Sequence, residues 1–173
     1  MPRNIEIKAR ISSVEELMPK VRSIADQGPW ELRQEDTYFE CAAGRLKLRT
    51  GSEHPGQLIY YRRENQAGPK ESLYTIAPTS DPKALRALLS QALGQVGRVE
   101  KVRTLFLSGR TRIHLDRVAG LGDFLELEVV LADQEPAGQG IEEAHELLSR
   151  LGIHRSQLIE GSYLEFPASS RMA

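Results

Sequence analysis

The chain has 173 residues, 40% hydrophobic and 27% charged, enough for one globular domain with its own core. Its 23 basic and 24 acidic residues leave a net charge of −1, so an extended nucleic-acid footprint is not expected, and no apolar run approaches the length of a membrane span. Cys41 is the single cysteine, which excludes an internal disulfide and fits a reducing cytoplasm, the expected location.

The chain begins directly on a strand-like run with no leader expected before it. From Asn4 to Ile11 the residues alternate strictly: Ile5, Ile7, Ala9 and Ile11 share one parity, Glu6, Lys8 and Arg10 the other. Successive side chains of a strand point to opposite faces, so this strand has one apolar and one charged face. Ser13, with Glu16 three residues on, signals a helix start, and the helix should end before Gly28-Pro29. Trp30 to Glu40 reads as a strand. Arg45-Leu46-Lys47-Leu48-Arg49 alternates again, cations against leucines. Gln57 to Arg63 is strand-like with Tyr60 and Arg62 taken in phase, and Ser72 to Ile76 is a short strand.

Asp81-Pro82 opens a second helix with a cap and an N1 proline, and the spacing predicts an apolar face of Leu85, Leu88, Leu89 and Leu93. Val99 to Ser108 and Thr111 to Val118 form a hairpin across Gly109-Arg110. They carry Lys101 and Arg103 on one strand and Arg112, His114 and Asp116 on the next. Phe124 to Leu131 sets Glu126 and Glu128 against Leu125, Leu127, Val129 and Leu131. A third amphipathic helix follows Gly140 and stops at Gly152. The expected organisation is a single domain over residues 1–166 with a frayed tail at 167–173.

Three amphipathic helices need an apolar surface, and the strands supply one. If helices cover it, the charged faces must meet one another, as they do when a sheet closes on itself. The lining then holds Glu6, Lys8, Lys47, Arg49, Arg62, Lys101, Arg103, Arg112, His114, Asp116, Glu126 and Glu128. So many charges cannot be buried dry. Cations from separate strands suit a chain of phosphates, and carboxylates among them suit Mg²⁺ or Mn²⁺.

These residues resemble a known family. Asn-Ile-Glu-Ile-Lys at 4–8 is similar to the Glu-x-Glu-x-Lys signature of the CYTH superfamily, the triphosphate tunnel enzymes. Gln34-x-Asp36-Thr-Tyr-Phe39, Arg45-Leu-Lys-Leu-Arg49, Lys101-x-Arg103, Arg112-x-His114-x-Asp116 and the run from Gly120 to Glu128 resemble its class IV adenylyl cyclase-like branch. The likeness covers residues 1–166. It implies an α+β fold: a closed eight-stranded antiparallel barrel with the helices outside. It also implies that Lys8, Lys47, Arg49, Arg62, Lys101, Arg103 and Arg112 bind the triphosphate, and that Glu6, Glu126, Glu128 and Asp116 hold the metal. His114 is read as either a phosphate contact or a structural histidine. Lys8, Glu126 and Glu128 are the candidate catalytic residues. One departure stands out: Asn4 replaces the first signature glutamate and offers a carbonyl oxygen without charge.

The implied substrate is a nucleoside or other organic triphosphate, or inorganic triphosphate. The activity the resemblance implies is that of a class IV adenylyl cyclase or a triphosphatase, with a non-catalytic triphosphate-binding module as the reading from another class. An RNA 5′ triphosphatase is disfavoured by the neutral charge. Members of the family are often homodimers, but the sequence identifies no interface.

Overall fold

The computed structural model describes residues 1–166, so the tail expected at 167–173 lies outside the described residues. In chain order the elements are β1 (Arg3–Ile11), α1 (Val14–Ile24), β2 (Gln27–Phe39), β3 (Arg45–Gly51), β4 (Gln57–Arg63), β5 (Lys70–Pro78), α2 (Pro82–Leu93), β6 (Gln95–Ser108), β7 (Thr111–Val118), β8 (Gly122–Val130) and α3 (Ala137–Leu151). The strands form a closed antiparallel barrel in the order β1-β5-β4-β3-β2-β6-β7-β8, and β8 pairs back onto β1. This is the closed eight-stranded barrel that the family resemblance implies. Among the described residues no helix is long and apolar enough to cross a membrane.

The strict alternation of β1 is the reason both of its faces are buried. Ile5, Ile7 and Ala9 face outward beneath α1 and α3, in a core with Ile113, Leu115, Leu125, Leu127, Leu147 and Leu148. Truncating one of these leucines to alanine should cost about 2–5 kcal/mol, from lost burial and the cavity left behind. The other face of β1 points into the barrel. α1 starts where the Ser13 hydroxyl accepts from Glu16 N at 3.1 Å and Asp123 Oδ2 accepts from Val14 N at 2.7 Å. α3 lies close on β1 because Gly140 has no side chain: a Cβ there would sit 2.7 Å from Ile5 Cγ1 and from Leu131 Cδ2. The helix closes at Gly152 in the left-handed conformation, φ 72°.

The second helix departs from expectation. Asp81 caps it through Ala84 N at 3.0 Å, but no residue of α2 is buried, and Leu88 and Leu93 are 61% and 43% exposed. It is tethered instead by Arg86, which donates to Glu35 Oε1 (2.7 Å) and Thr37 Oγ1 (3.1 Å) on β2. The apolar face expected to join the core does not do so.

Candidate functional site

The inward faces enclose a cavity of about 450 Å³ lined by residues from all eight strands. Lys8 enters it from β1, Lys47 and Arg49 from β3, Arg63 from β4, Lys101 and Arg103 from β6, and Arg112 from β7. One end is crossed by the segment after α3. Tyr163 packs there against Phe124 with ring centroids 4.9 Å apart, and Ser162 and Tyr163 line the cavity. Arg63 Nη2 donates to Gly161 O at 2.6 Å, and Lys8 Nζ lies 3.9 Å from the centre of the Tyr163 ring. The last described segment is therefore tied to the same cations that the strands supply.

Two aspartates anchor the cations from within the wall. Asp36 of β2 accepts from Arg49 Nε and Nη2, both at 2.7 Å, and from Lys47 Nζ at 3.0 Å. Asp116 of β7 grips Arg103 the same way, at 2.7 Å twice, and accepts from the Tyr163 hydroxyl at 2.9 Å. Lys101 Nζ stands between them, 3.8 Å from Asp36 and 3.9 Å from Asp116. Bidentate forks of this kind fix the plane of a guanidinium and leave its remaining edge for a ligand. Burial alone would raise the two carboxyls, but Arg49, Lys47 and Lys101 hold Asp36 well below the carboxylate range, and Arg103 and Lys101 do the same for Asp116. Burial, with Arg103 beside it, pushes Lys101 down to about 7.

The acids that face the cavity form a different group. One donor atom each from His114, Glu126 and Glu128 lies within 4.8 Å of the others. Glu126 is held by Arg103 Nη2 at 2.5 Å and by Lys8 at 3.7 Å, and Glu128 by Arg112 at 2.7 Å. Despite burial, Lys8 and Arg103 keep Glu126 well below its usual value, and His114 and Arg112 lower Glu128. Burial, and then Arg103, lowers His114, favouring the neutral ring with a free lone pair. Glu6 sits opposite Glu128 in the β1–β8 register, and burial and Glu126 raise its carboxyl despite Arg63 at 3.2 Å. Two hard carboxylates, a neutral imidazole and a third carboxyl close by fit a divalent cation such as Mg²⁺ or Mn²⁺. Asn4 is buried beside them, and its Oδ1 has no hydrogen-bond partner among the described residues.

Several sequence expectations change. Arg62 is not in the lining: it is exposed on the outside of β4, and Arg63 takes the inner position. Register explains this. Lys47 stands across from Ile59 and Arg45 across from Tyr61, so Ile59, Tyr61 and Arg63 share the inner face with Lys47. The adjacent tyrosines and arginines of β4 gave the phase no signal. Asp116 is not among the cavity-lining residues, and its oxygens are occupied by Arg103 and Tyr163, so the structure places it behind Arg103 rather than among the metal donors. Tyr163, expected from the resemblance to close one mouth, lines the cavity, whereas Asp36 and Lys70 are buried residues that the sequence reading gave no site role. Asp36 had a signal, being in phase with Gln34 and Tyr38 on β2. Lys70 had none, because it was read as loop; it is buried, donates to Gln66 O at 3.0 Å, and is pushed by burial, then by Arg63, down to about 8.

Comparison with known proteins agrees with this geometry. The adenylate cyclase CyaB of Aeromonas hydrophila is 27% identical over 168 residues, covering 92% of this chain and 85% of its own. The PH1012 protein of Pyrococcus horikoshii has the same fold, with a TM-score of 0.84 at 23% identity, covering 94% of this chain and 98% of that one. A Hippeastrum protein described as an adenylyl cyclase candidate with a dominant triphosphatase activity also shares the fold, with a TM-score of 0.63 at 15% identity over 94% of this chain and 91% of that one. The CYTH domain matches residues 2–163, nearly all of the barrel and its closing segment, and the chain belongs to that family.

Proposed function

We propose that this protein is a divalent-metal-dependent enzyme that processes a triphosphate inside the barrel, most like a class IV adenylyl cyclase converting ATP to cyclic AMP and pyrophosphate. The observation that carries the reading is the convergence of Lys8, Lys47, Arg49, Arg63, Lys101, Arg103 and Arg112 on one cavity beside the His114–Glu126–Glu128 group. No smaller anion calls for so many cations from separate strands. The relative named as an adenylate cyclase supports the cyclase reading. The Hippeastrum protein's triphosphatase activity makes hydrolysis of ATP, thiamine triphosphate or inorganic triphosphate the alternative.

The residues divide the work. Arg49 and Arg103, fixed by their aspartates, present their remaining edges to phosphate oxygens, and Lys47, Lys101 and Lys8 supply point charges. Glu126 and Glu128, with His114 and Glu6 close by, would hold the cation. A bound cation supplies charge neutralisation at the phosphoryl group under attack. The cation and acid side chains are largely buried in the barrel, and a less polar surrounding strengthens each of these contacts. The expected setting is the cytoplasm, where such substrates reside.

The test is purified protein with Mg²⁺ or Mn²⁺ against ATP, thiamine triphosphate and inorganic triphosphate, assaying cyclic AMP, pyrophosphate and orthophosphate separately. Cyclic AMP with matching pyrophosphate establishes the cyclase; orthophosphate without it establishes the triphosphatase and its substrate. Binding without product leaves a binding module, with Asn4 as the residue to restore to glutamate. Glu128→Gln is expected to remove metal-dependent turnover and keep the fold; wild-type turnover in that variant removes Glu128 from the metal site.

A further inference from the structure

The segment after α3 is set against β1 by backbone pairing. Leu158 bridges to Ala9, and Ile159 N donates to Lys8 O at 3.0 Å. Further along, Tyr163 enters the cavity lining and is 3% exposed. This one side chain meets two parts of the cation set. Its ring face lies 3.9 Å from Lys8 Nζ, with Lys101 Nζ at 5.5 Å. Its hydroxyl donates to Asp116 Oδ2 at 2.9 Å, the same oxygen that Arg103 Nη2 grips at 2.7 Å.

A segment that only filled the opening would need bulk. Phenylalanine supplies that bulk without a hydroxyl to satisfy, and Phe124 already packs beside Tyr163. The surroundings of Lys8 point further. Lys8 is buried and faces Glu126 at 3.7 Å, too far for a hydrogen bond. A ring face attracts an ammonium without consuming an N–H. Neither contact therefore takes up one of the donors that phosphate oxygens accept from. The hydroxyl works on a different cation: it adds a bond to Asp116 and so stiffens the fork that fixes the plane of Arg103. We propose that Tyr163 is a positioning residue for the triphosphate: its ring steers the Lys8 ammonium, and its hydroxyl braces Arg103 through Asp116. The C-terminal segment is then part of the anion site and not only its stopper. This rests on the triphosphate reading given above.

The test is a double-mutant cycle read by calorimetric binding of ATP and inorganic triphosphate. It compares the wild type, Tyr163→Phe, Tyr163→Leu, Lys8→Met and the double variant Tyr163→Leu with Lys8→Met. Tyr163→Leu is expected to lose about tenfold or more in affinity, and Tyr163→Phe, which keeps the ring, about threefold. In the Lys8→Met background, Tyr163→Leu should cost no more than about threefold, because the ring then has no ammonium to steer. A segment that merely fills the opening gives the same loss in both backgrounds. A second readout needs only the wild type, should Tyr163→Leu unfold. With isotope-labelled lysine, the Lys8 side-chain protons should resonate upfield of free lysine through the ring current of Tyr163, and keep that shift with ligand bound. Losses that multiply in the cycle, an unchanged affinity in Tyr163→Leu, a Tyr163→Phe that falls as far as Tyr163→Leu, or a Lys8 signal at the free-lysine position overturns the positioning role alone. Absence of binding of either ligand by the wild type overturns the triphosphate reading together with it.

Discussion

Asp36→Asn tests whether the cation set is held ready by an internal anion. Asp36 is 1% exposed and faces Arg49 at 2.7 Å, Lys47 at 3.0 Å and Lys101 at 3.8 Å. Removing one partner of a buried ion pair costs about 3–5 kcal/mol, because the other charge is left uncompensated. Two features put this site at the low end of that range. Asparagine keeps one acceptor oxygen for Arg49, and Lys101, already pushed down to about 7, can release its proton. A loss of about 3 kcal/mol corresponds to a fall of roughly 6–12 °C in Tm for a domain of this size. Inorganic triphosphate supplies the missing negative charge, so at saturation the gap between variant and wild type should shrink, and the variant should bind the anion more tightly. The assay is thermal unfolding with and without triphosphate. A variant that melts within about 2 °C of the wild type, or a gap that triphosphate does not narrow, refutes the view that Asp36 stands in for phosphate.

The phase of β4 gives a paired prediction: Arg63→Ala should weaken triphosphate binding tenfold or more, while Arg62→Ala, on the outer face, should leave it within twofold by calorimetry. The reverse order would restore the phase read from sequence. Lys101 gives a pH dependence. Its proton is largely lost above about 7 in the free protein and regained beside bound phosphates, so the complex holds more protons than the free protein. Affinity should therefore fall as pH rises above 7, and binding at pH 8 should take up protons, read as different calorimetric enthalpies in two buffers of unlike ionisation heat. Lys101→Arg should reduce that uptake, and an uptake unchanged in that variant assigns it to other groups.

Legibility in the sequence followed the strength of alternation. Over residues 4–11 of β1, 112–116 of β7 and 125–129 of β8, apolar residues alternate strictly with polar ones, so both the strand and its inner face could be read directly, and Glu6, Lys8, Arg112, His114, Glu126 and Glu128 all enter the cavity. Strand β4 carries Tyr60-Tyr61-Arg62-Arg63, where neighbours of like character leave the phase to the β3 register alone. Helix α2 showed the opposite failure: its leucines have helical spacing, but spacing alone does not say whether another element covers them. Asp116 looked like a metal donor because an acid in phase with cations is the same pattern whether it faces the cavity or supports an arginine; depth in the wall decides, and sequence does not carry depth.

The closure of the barrel through β1 bears on how the protein is made. β1 pairs with β5, about seventy positions away, and with β8, about one hundred and twenty positions away. It therefore leaves the ribosome well before either partner exists, with Ile5, Ile7 and Ala9 uncovered until β8 and α3 arrive. Pairings this distant in sequence fold slowly. The strand bearing Glu6 and Lys8 spends synthesis as an unpaired apolar edge, so the cavity forms in a single late step, and chaperone demand should be greatest for chains stopped short of β8.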